Sequence, residues 1–222
     1  MRIFHKGKGQ IKGYSEDYSF FIQALLDLYE ATFEMDWLKE ADGLNQRMID
    51  QFWDKEKGGF FFTGKENESL IARSKSPYDN AIPSSNSVGV FNLLRLGYLK
   101  GDESLKQKAE QILQLFHNFV SKHPTGFMHM LSGLSFYFNP EEIGIIGSKH
   151  DPRTQAMVNE IFLAYLPNKI LSFKEPHEPF EGDWFPFLKG KETQEVPTVF
   201  VCKRFTCSPP ARDEEELKKL IG

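Results

Sequence analysis

Between Ser15 and Phe138 the apolar residues recur at helical spacing in five blocks that alternate in character. The first, Ser15 to Phe33, carries Tyr18, Phe21, Ile22, Leu25 and Leu26 on one stripe, with Phe20, Ala24, Leu28 and Ala31 on the other side. A helix that is apolar nearly all round predicts burial on every face. The second block, "DWLKEADGLNQRMIDQFW", has a single stripe of Trp37, Ala41, Leu44, Met48 and Phe52 among charged residues, which predicts an outer helix. Ser85 to Leu99 is again apolar all round, with Arg95 its one formal charge. Glu103 to Lys122 returns to a single stripe of Leu105, Ala109, Ile112, Phe116 and Val120. The fifth block, "PTGFMHMLSGLSFYF", is almost uncharged and starts at Pro124, a residue suited to the first helical position. The order is inner, outer, inner, outer, inner, with a period of about 50 to 60 residues. It suggests an α/α toroid or a helical solenoid.

After Asn139-Pro140 the pattern changes. "EEIGIIGS" and "NKILSFKE" predict short strands flanking a helix opened by Asp151-Pro152, a βαβ unit with a right-handed crossover. "TVFVCKRF" predicts a third strand and "RDEEELKKLIG" a solvated terminal helix. The stretch from Lys174 to Gln194, rich in Pro, Gly and aromatics, predicts a short helix around Trp184. The expected division is residues 1–140 as helical hairpins and residues 141–222 as a small α/β appendage. The fold class is therefore mainly α.

Composition narrows the function classes. A formal charge of −4 over 222 residues provides no basic field for nucleic acid or acidic membranes. No apolar run reaches the roughly 20 residues that span a bilayer. The basic start, "MRIFHKGKGQIKG", is not followed by an apolar segment of secretory type. Two cysteines cannot build a disulfide framework, and a cytoplasmic location is expected. Cys202 and Cys207 would face opposite sides of one regular strand, so pairing them requires the chain to turn at Lys203-Arg204. No second cysteine pair completes a zinc site, and His123 and His129 are poorly spaced for one helical face. No metal and no cofactor are expected.

"GYSEDYSFFIQALLDLYEATF", "FWDKEKGGFFFT", "YDNAIPSSNSVGVFNLLRL" and "VCKRFTCSPP" together resemble the C-terminal third of the spermatogenesis-associated protein 20 family. The resemblance runs in order from Gly13 to Leu220. It implies a thioredoxin-like domain followed by an (α/α)6 toroid similar to those of N-acylglucosamine 2-epimerases and six-hairpin glycosidases. This chain shows neither that domain nor the first half of the toroid, so it is expected to form a partial toroid. Ser84-Ser85-Asn86 also stands where the family has Ser-Gly-Asn.

In a toroid the inner helices run parallel, and the loops feeding their starts gather on one face. Here those loops are "GYSEDY", "YDNAIPSSN" and "HPTGFMH". Glu16 and Asp17 either complement a helix start or face the cavity as acid, base or hydroxyl acceptor. Asp79 either closes a turn before Pro83 or joins Asn86 in binding hydroxyls, with Tyr78 and Tyr18 beside a sugar ring. Ser84 caps the third block or contributes to the same lip. His129 is either a core residue or the group that transfers protons near neutral pH. The candidate catalytic residues are thus Asp17, Asp79 and His129. The candidate substrate-binding residues are Glu16, Tyr18, Tyr78, Ser84 and Asn86.

Two readings follow. One is a carbohydrate-active or sugar-binding toroid, epimerase- or glycosidase-like and incomplete alone. The other is a non-catalytic module that binds a protein. Either leaves apolar faces open, with Phe20, Ala24, Val90 and Phe136 expected nearby. The partner is then the remaining N-terminal part of a longer protein or a second copy of the chain.

Overall fold

The structure, a computed structural model, describes residues 3–68, 71–191, 197–203 and 206–222. It divides into two compact units, Met1–Leu96 with Glu103–Leu134 and Gly97–Asp102 with Ser135–Gly222.

The first unit opens with an exposed antiparallel hairpin, β1 (Ile3–His5) and β2 (Lys8–Gln10), which the sequence pattern did not suggest. Five helices account for the five blocks: α1 (Ser15–Thr32), α2 (Met35–Phe52), α3 (Ser85–Lys100), α4 (Glu103–Lys122) and α5 (Met128–Phe138). α4 behaves as its pattern predicts, burying Leu105, Ala109, Ile112, Phe116 and Val120. α2 buries Ala41, Met48 and Phe52 of its predicted stripe, but Leu38 and Asn45 are buried with them and Trp37 and Leu44 are only half-buried, so its inward face is rotated slightly from the predicted one.

α1 and α3 run parallel. Ser15 Oγ donates to Ser85 Oγ (2.8 Å), Asn92 Nδ2 to the carbonyl of Ser19 (2.8 Å), and Arg95 to Asp27 (2.7 Å) and Glu30 (2.8 Å). Residue numbers rise together along both helices, which only a parallel pair allows. These contacts also explain how a helix as apolar as α3 tolerates Asn92 and Arg95. The Arg95 guanidinium and the Asn92 amide nitrogen have partners that offset their desolvation, while Asn92 Oδ1 is buried without one.

The expectation that α1 is buried on all sides is corrected. Ile22, Leu25, Leu26 and Tyr29 are in the core, but Ala24, Ala31, Phe21 (57% exposed) and Leu28 (42% exposed) face solvent. Among the described residues α1 has an inner neighbour on one flank only. Val90 and Phe136, expected near an open face, are fully buried, while Ala24 is exposed and Phe20 half-buried.

α5 begins later than predicted. Pro124 opens a separate 3-10 turn, Pro124–Gly126, and the α-helix starts at Met128. The Gly58-Gly59 turn with its aromatic run, which the sequence suggests as a turn followed by a short strand, forms the turn without the strand. Gly58 and Gly59 adopt the positive φ their turn requires (74° and 77°), and Phe60 then makes one antiparallel bridge to Trp53.

In the second unit β3 (Glu141–Ile146), α6 (Pro152–Leu163) and β4 (Lys169–Lys174) form the expected βαβ unit, with Glu141 opposite Lys169 and Ile146 opposite Lys174. β5 (Thr198–Lys203) pairs antiparallel with the other edge of β3, and β6 (Thr206–Cys207) follows, giving the sheet order β4-β3-β5-β6. α7 (Glu214–Ile221) turns Leu217 and Ile221 inward. The helix expected around Trp184 is a single 3-10 turn, Pro186–Leu188. The obstacle to pairing the cysteines disappears because they lie on two strands: Cys202 and Cys207 are cross-strand partners, Cα–Cα 4.0 Å, joined by a disulfide. Arg204, half of the turn that pairing requires, lies outside the described residues, as do Gln194 and residue 205.

No helix among the described residues is long and apolar enough to cross a membrane.

Candidate functional site

The polar loops singled out in the sequence meet where α1, α3 and α5 begin. Ser84 N-caps α3, its Oγ accepting from the backbone N–H of Ser87 at 3.1 Å. Ser84's own N–H donates to Asp79 Oδ1 (2.9 Å). The second oxygen of Asp79, Oδ2, accepts from the N–H groups of His129 (2.9 Å) and Met130 (3.3 Å) in the first turn of α5. A single carboxylate therefore serves two helix N-termini, where unpaired N–H groups and the positive end of the helix dipole favour a negative charge. The N–H of Asp79 completes the clamp by donating to the carbonyl of Gly126 at 2.9 Å. Gly126 is fitted to that approach. A Cβ there would meet the ring of Tyr78 inside van der Waals contact, and Tyr78 also packs edge-on to Phe127.

The remaining candidates are similarly engaged. Asp17 Oδ2 accepts from the N–H of Tyr14 (2.8 Å), reaching back across the first turn of α1. Asn86 is fully buried. Its Oδ1 accepts from the N–H of Phe60 (2.8 Å), and its Nδ2 donates to the carbonyls of Phe60 (3.0 Å) and Ser76 (3.1 Å), tying α3 to the 53–60 turn. Glu16 is half-buried beside Asp17, and its carbonyl accepts from Ser19 Oγ at 3.1 Å. Asp79, Ser84 and His129 thus form one cluster around the starts of α3 and α5, with Tyr78 beside it. Asp17 and Glu16 stand at the start of α1, joined to that of α3 through Ser15 and Ser85.

The His129 ring packs against Phe91 at a tilt of 33° with centroids 4.8 Å apart, and its Nε2 is buried without a hydrogen-bond partner. Desolvation holds its pKa below the usual histidine value, and the charge of Asp79 opposes that shift only in part.

Tyr18 lines a cleft. This space of about 400 Å³ lies at the C-terminal end of α2, bounded by Tyr18 and Phe52 with Arg47, Asp50, Gln51 and Glu66. The Tyr18 and Phe52 rings are 5.2 Å apart. Gln51 Nε2 donates to Glu66 Oε1 (3.1 Å), while Gln51 Oε1 is buried without a partner. Sequence reasoning missed Arg47, Asp50 and Gln51 because they sit at the polar end of an outer helix, where charged residues need no explanation. Among the described residues no group of three or more His, Cys, Asp or Glu side chains is placed to hold a metal ion.

Asp79→Ala removes both caps at once and is expected to cost about 2–4 kcal/mol, two caps at about 1–2 kcal/mol each. Asp79→Asn, which keeps one acceptor, should cost less. Urea unfolding followed by circular dichroism measures both. The lowered pKa of His129 has a defined sign. As pH falls below the ordinary histidine value of about 6.5, the unfolded chain binds the proton first, so stability declines with acidification and is level above that value. The difference in unfolding free energy between the parent chain and His129→Gln should therefore change between pH 7 and pH 5. A difference constant over that range would contradict the buried neutral imidazole.

Comparison with known proteins places this geometry in a lineage. No family model matches the sequence. Spermatogenesis-associated protein 20 from human is 34% identical over 213 residues, 94% of this chain, and the rat protein of that name is equally similar. An uncharacterized protein of Caenorhabditis elegans is 27% identical over 221 residues. The chain spans about 27% of the length of the human and rat relatives and corresponds to a C-terminal piece of them. By this similarity the chain belongs to the spermatogenesis-associated protein 20 family.

Proposed function

We propose that this chain is a non-catalytic binding piece of a larger helical assembly. Its inner layer of α1, α3 and α5 is continued by a further helical hairpin from the remainder of a family member, and the completed ring is an (α/α)6 toroid. The contrast between α3 and α1 carries this reading. α3 has an inner helix on both flanks and is buried almost throughout from Ser85 to Leu96. α1 has one such neighbour and leaves Phe21, Ala24, Leu28 and Ala31 in solvent. Their spacing of three, four and three residues is the seam against which a neighbouring helix packs. Phe21 and Leu28 are already about half covered, so burying the rest contributes roughly 1 kcal/mol each, half of a full burial. The relatives are about three and a half times as long as this chain, which leaves ample chain for such a hairpin. The engagement of Asp17, Asp79 and Asn86 within the scaffold weighs against catalysis by this piece alone.

Phe21→Glu/Leu28→Glu tests the reading, since it changes only exposed positions. The expected result is a complex between this chain and the separately expressed N-terminal remainder of a longer relative, seen by sedimentation and weakened at least tenfold by the double substitution. Absence of any complex, with this chain monomeric at high concentration, would overturn it.

A second reading, a carbohydrate ligand, is favoured by the cleft beside Tyr18. An aromatic ring next to an arginine, two carboxylates and an amide oxygen without a partner is the kind of lining that binds a sugar's apolar face and hydroxyls. Titration with a panel of mono- and disaccharides, followed by NMR, should shift Tyr18 and Gln51 resonances, and Tyr18→Ala should abolish the response. No turnover is expected, because an epimerase or glycosidase must hold acid and base groups on both faces of the sugar. A panel without effect on the cleft resonances would leave the first reading alone.

A further inference from the structure

The disulfide of the second unit is placed for exchange. Cys202 lies in β5 and is 4% exposed, whereas Cys207, across the hairpin in β6, faces solvent. Lys191 brings its Nζ to 3.9 Å from Cys207 Sγ. The same lysine lines a cleft of about 330 Å³ together with Lys174, Phe180, Leu188 and Ile146, at the C-terminal ends of the parallel strands β3 and β4. Open parallel sheets commonly receive ligands outside the carboxyl ends of their strands. One carboxylate, Glu178, also borders this cleft, against two ammonium groups. Lys174 Nζ donates to the backbone carbonyls of Glu178 (2.6 Å) and Glu175 (3.1 Å) and Lys191 Nζ to that of Phe187 (2.9 Å), so each ammonium is held in place by neutral acceptors and keeps its charge for a ligand.

As a structural staple the bond has little to do. It spans five residues in sequence, so it removes less chain entropy from the unfolded state than a disulfide closing a long loop. β5 is held without it, through its full pairing with β3 and through the two hydrogen bonds between Val199 and Ala211. Disulfides with an accessible sulfur are the exchangeable ones, and a neighbouring lysine ammonium stabilises the thiolate that exchange releases.

We propose that Cys202 and Cys207 form a reversible dithiol–disulfide couple whose exchange partner is a carboxylate-bearing low-molecular-weight thiol, held by Lys191 and Lys174. The thiolate of the partner attacks Cys207 Sγ. The Cys202–Cys207 bond breaks, its electron pair passes to Cys202 Sγ, which takes a proton, and a mixed disulfide forms on Cys207. A second thiolate attacks the partner's sulfur in that mixed disulfide and releases Cys207 as a thiolate beside Lys191. Two thiols are oxidised to one disulfide and the protein disulfide is reduced to two thiols. The reverse sequence reoxidises the protein with the partner's disulfide.

The test uses the full chain in buffers of reduced and oxidised glutathione, with free thiols alkylated and counted by mass spectrometry and the fold followed by circular dichroism. The expected result is reversible conversion between zero and two alkylated thiols at millimolar glutathione, with an unchanged helical signal in both states. Cys202→Ser should trap glutathione on Cys207, and Cys207→Ser should leave Cys202 unmodified. Lys191→Met should slow reduction by glutathione about tenfold while changing reduction by uncharged 2-mercaptoethanol much less. A disulfide that resists glutathione until the protein unfolds would overturn the proposal, as would equal trapping at both cysteines. Equal slowing of the two thiols by Lys191→Met would overturn the recognition of a carboxylate.

Discussion

The carboxylate of Asp79 is the constraint on which the helical unit depends. α3 and α5 are apolar on most faces, and apolar surfaces pack without fixing the axial position of one helix against another. Hydrogen bonds from one oxygen to the start of α3 and from the other to the start of α5 set that position at the N-terminal ends. Ser15 and Ser85 do the same between α1 and α3, and the 53–60 turn is brought to the layer through Asn86. Three parallel helices that could otherwise slide are pinned at one end. Asn92 and Arg95 repeat the device further along α3, where a shift by one residue would leave each head group buried without its partner.

That arrangement explains why the candidate site was half legible. The sequence pattern located the polar loops correctly, because a surplus of Asp, Asn and Ser before an apolar helix marks a place where side chains meet backbone N–H groups. Residue types alone do not say whether an oxygen has capacity left for a ligand. Asp79 accepts three N–H groups and Asn86 satisfies two backbone segments, which only the fold reveals. Tyr18 differs because its ring lies over the end of α2, which the linear sequence separates from it by about thirty residues.

The fold was more legible than the site, since helix type and boundaries follow from spacing within each block. The misjudged features depend on neighbours. Phe21 and Leu28 fit a buried helix equally well whether or not a further helix covers them, so periodicity overstated the burial of α1. Pro124 fits the first position of a 3-10 turn as well as that of an α-helix, and the α-helix starts only at Met128, next to the N–H groups that Asp79 caps. Cys202 and Cys207 are on opposite faces of one strand but directly opposite each other across a hairpin. A turn of the chain decides between the two, and the strand run in the sequence did not mark it.

An exposed apolar seam is a liability in a helix free to move, because it can be buried only by collapse or aggregation. The polar bonds along the two helices change that balance. They hold α1 against α3 by polar contacts at Ser15, Ser19, Asp27 and Glu30, none of which draws on the outward row of Phe21, Ala24, Leu28 and Ala31. The seam is therefore presented on a helix already fixed in place before anything covers it. A surface ordered in advance loses little conformational entropy on binding, so more of the free energy of covering it remains as affinity. Polar residues at the helix starts thus keep the apolar row of α1 in one fixed geometry, which is the property the proposed docking of a further helix draws on.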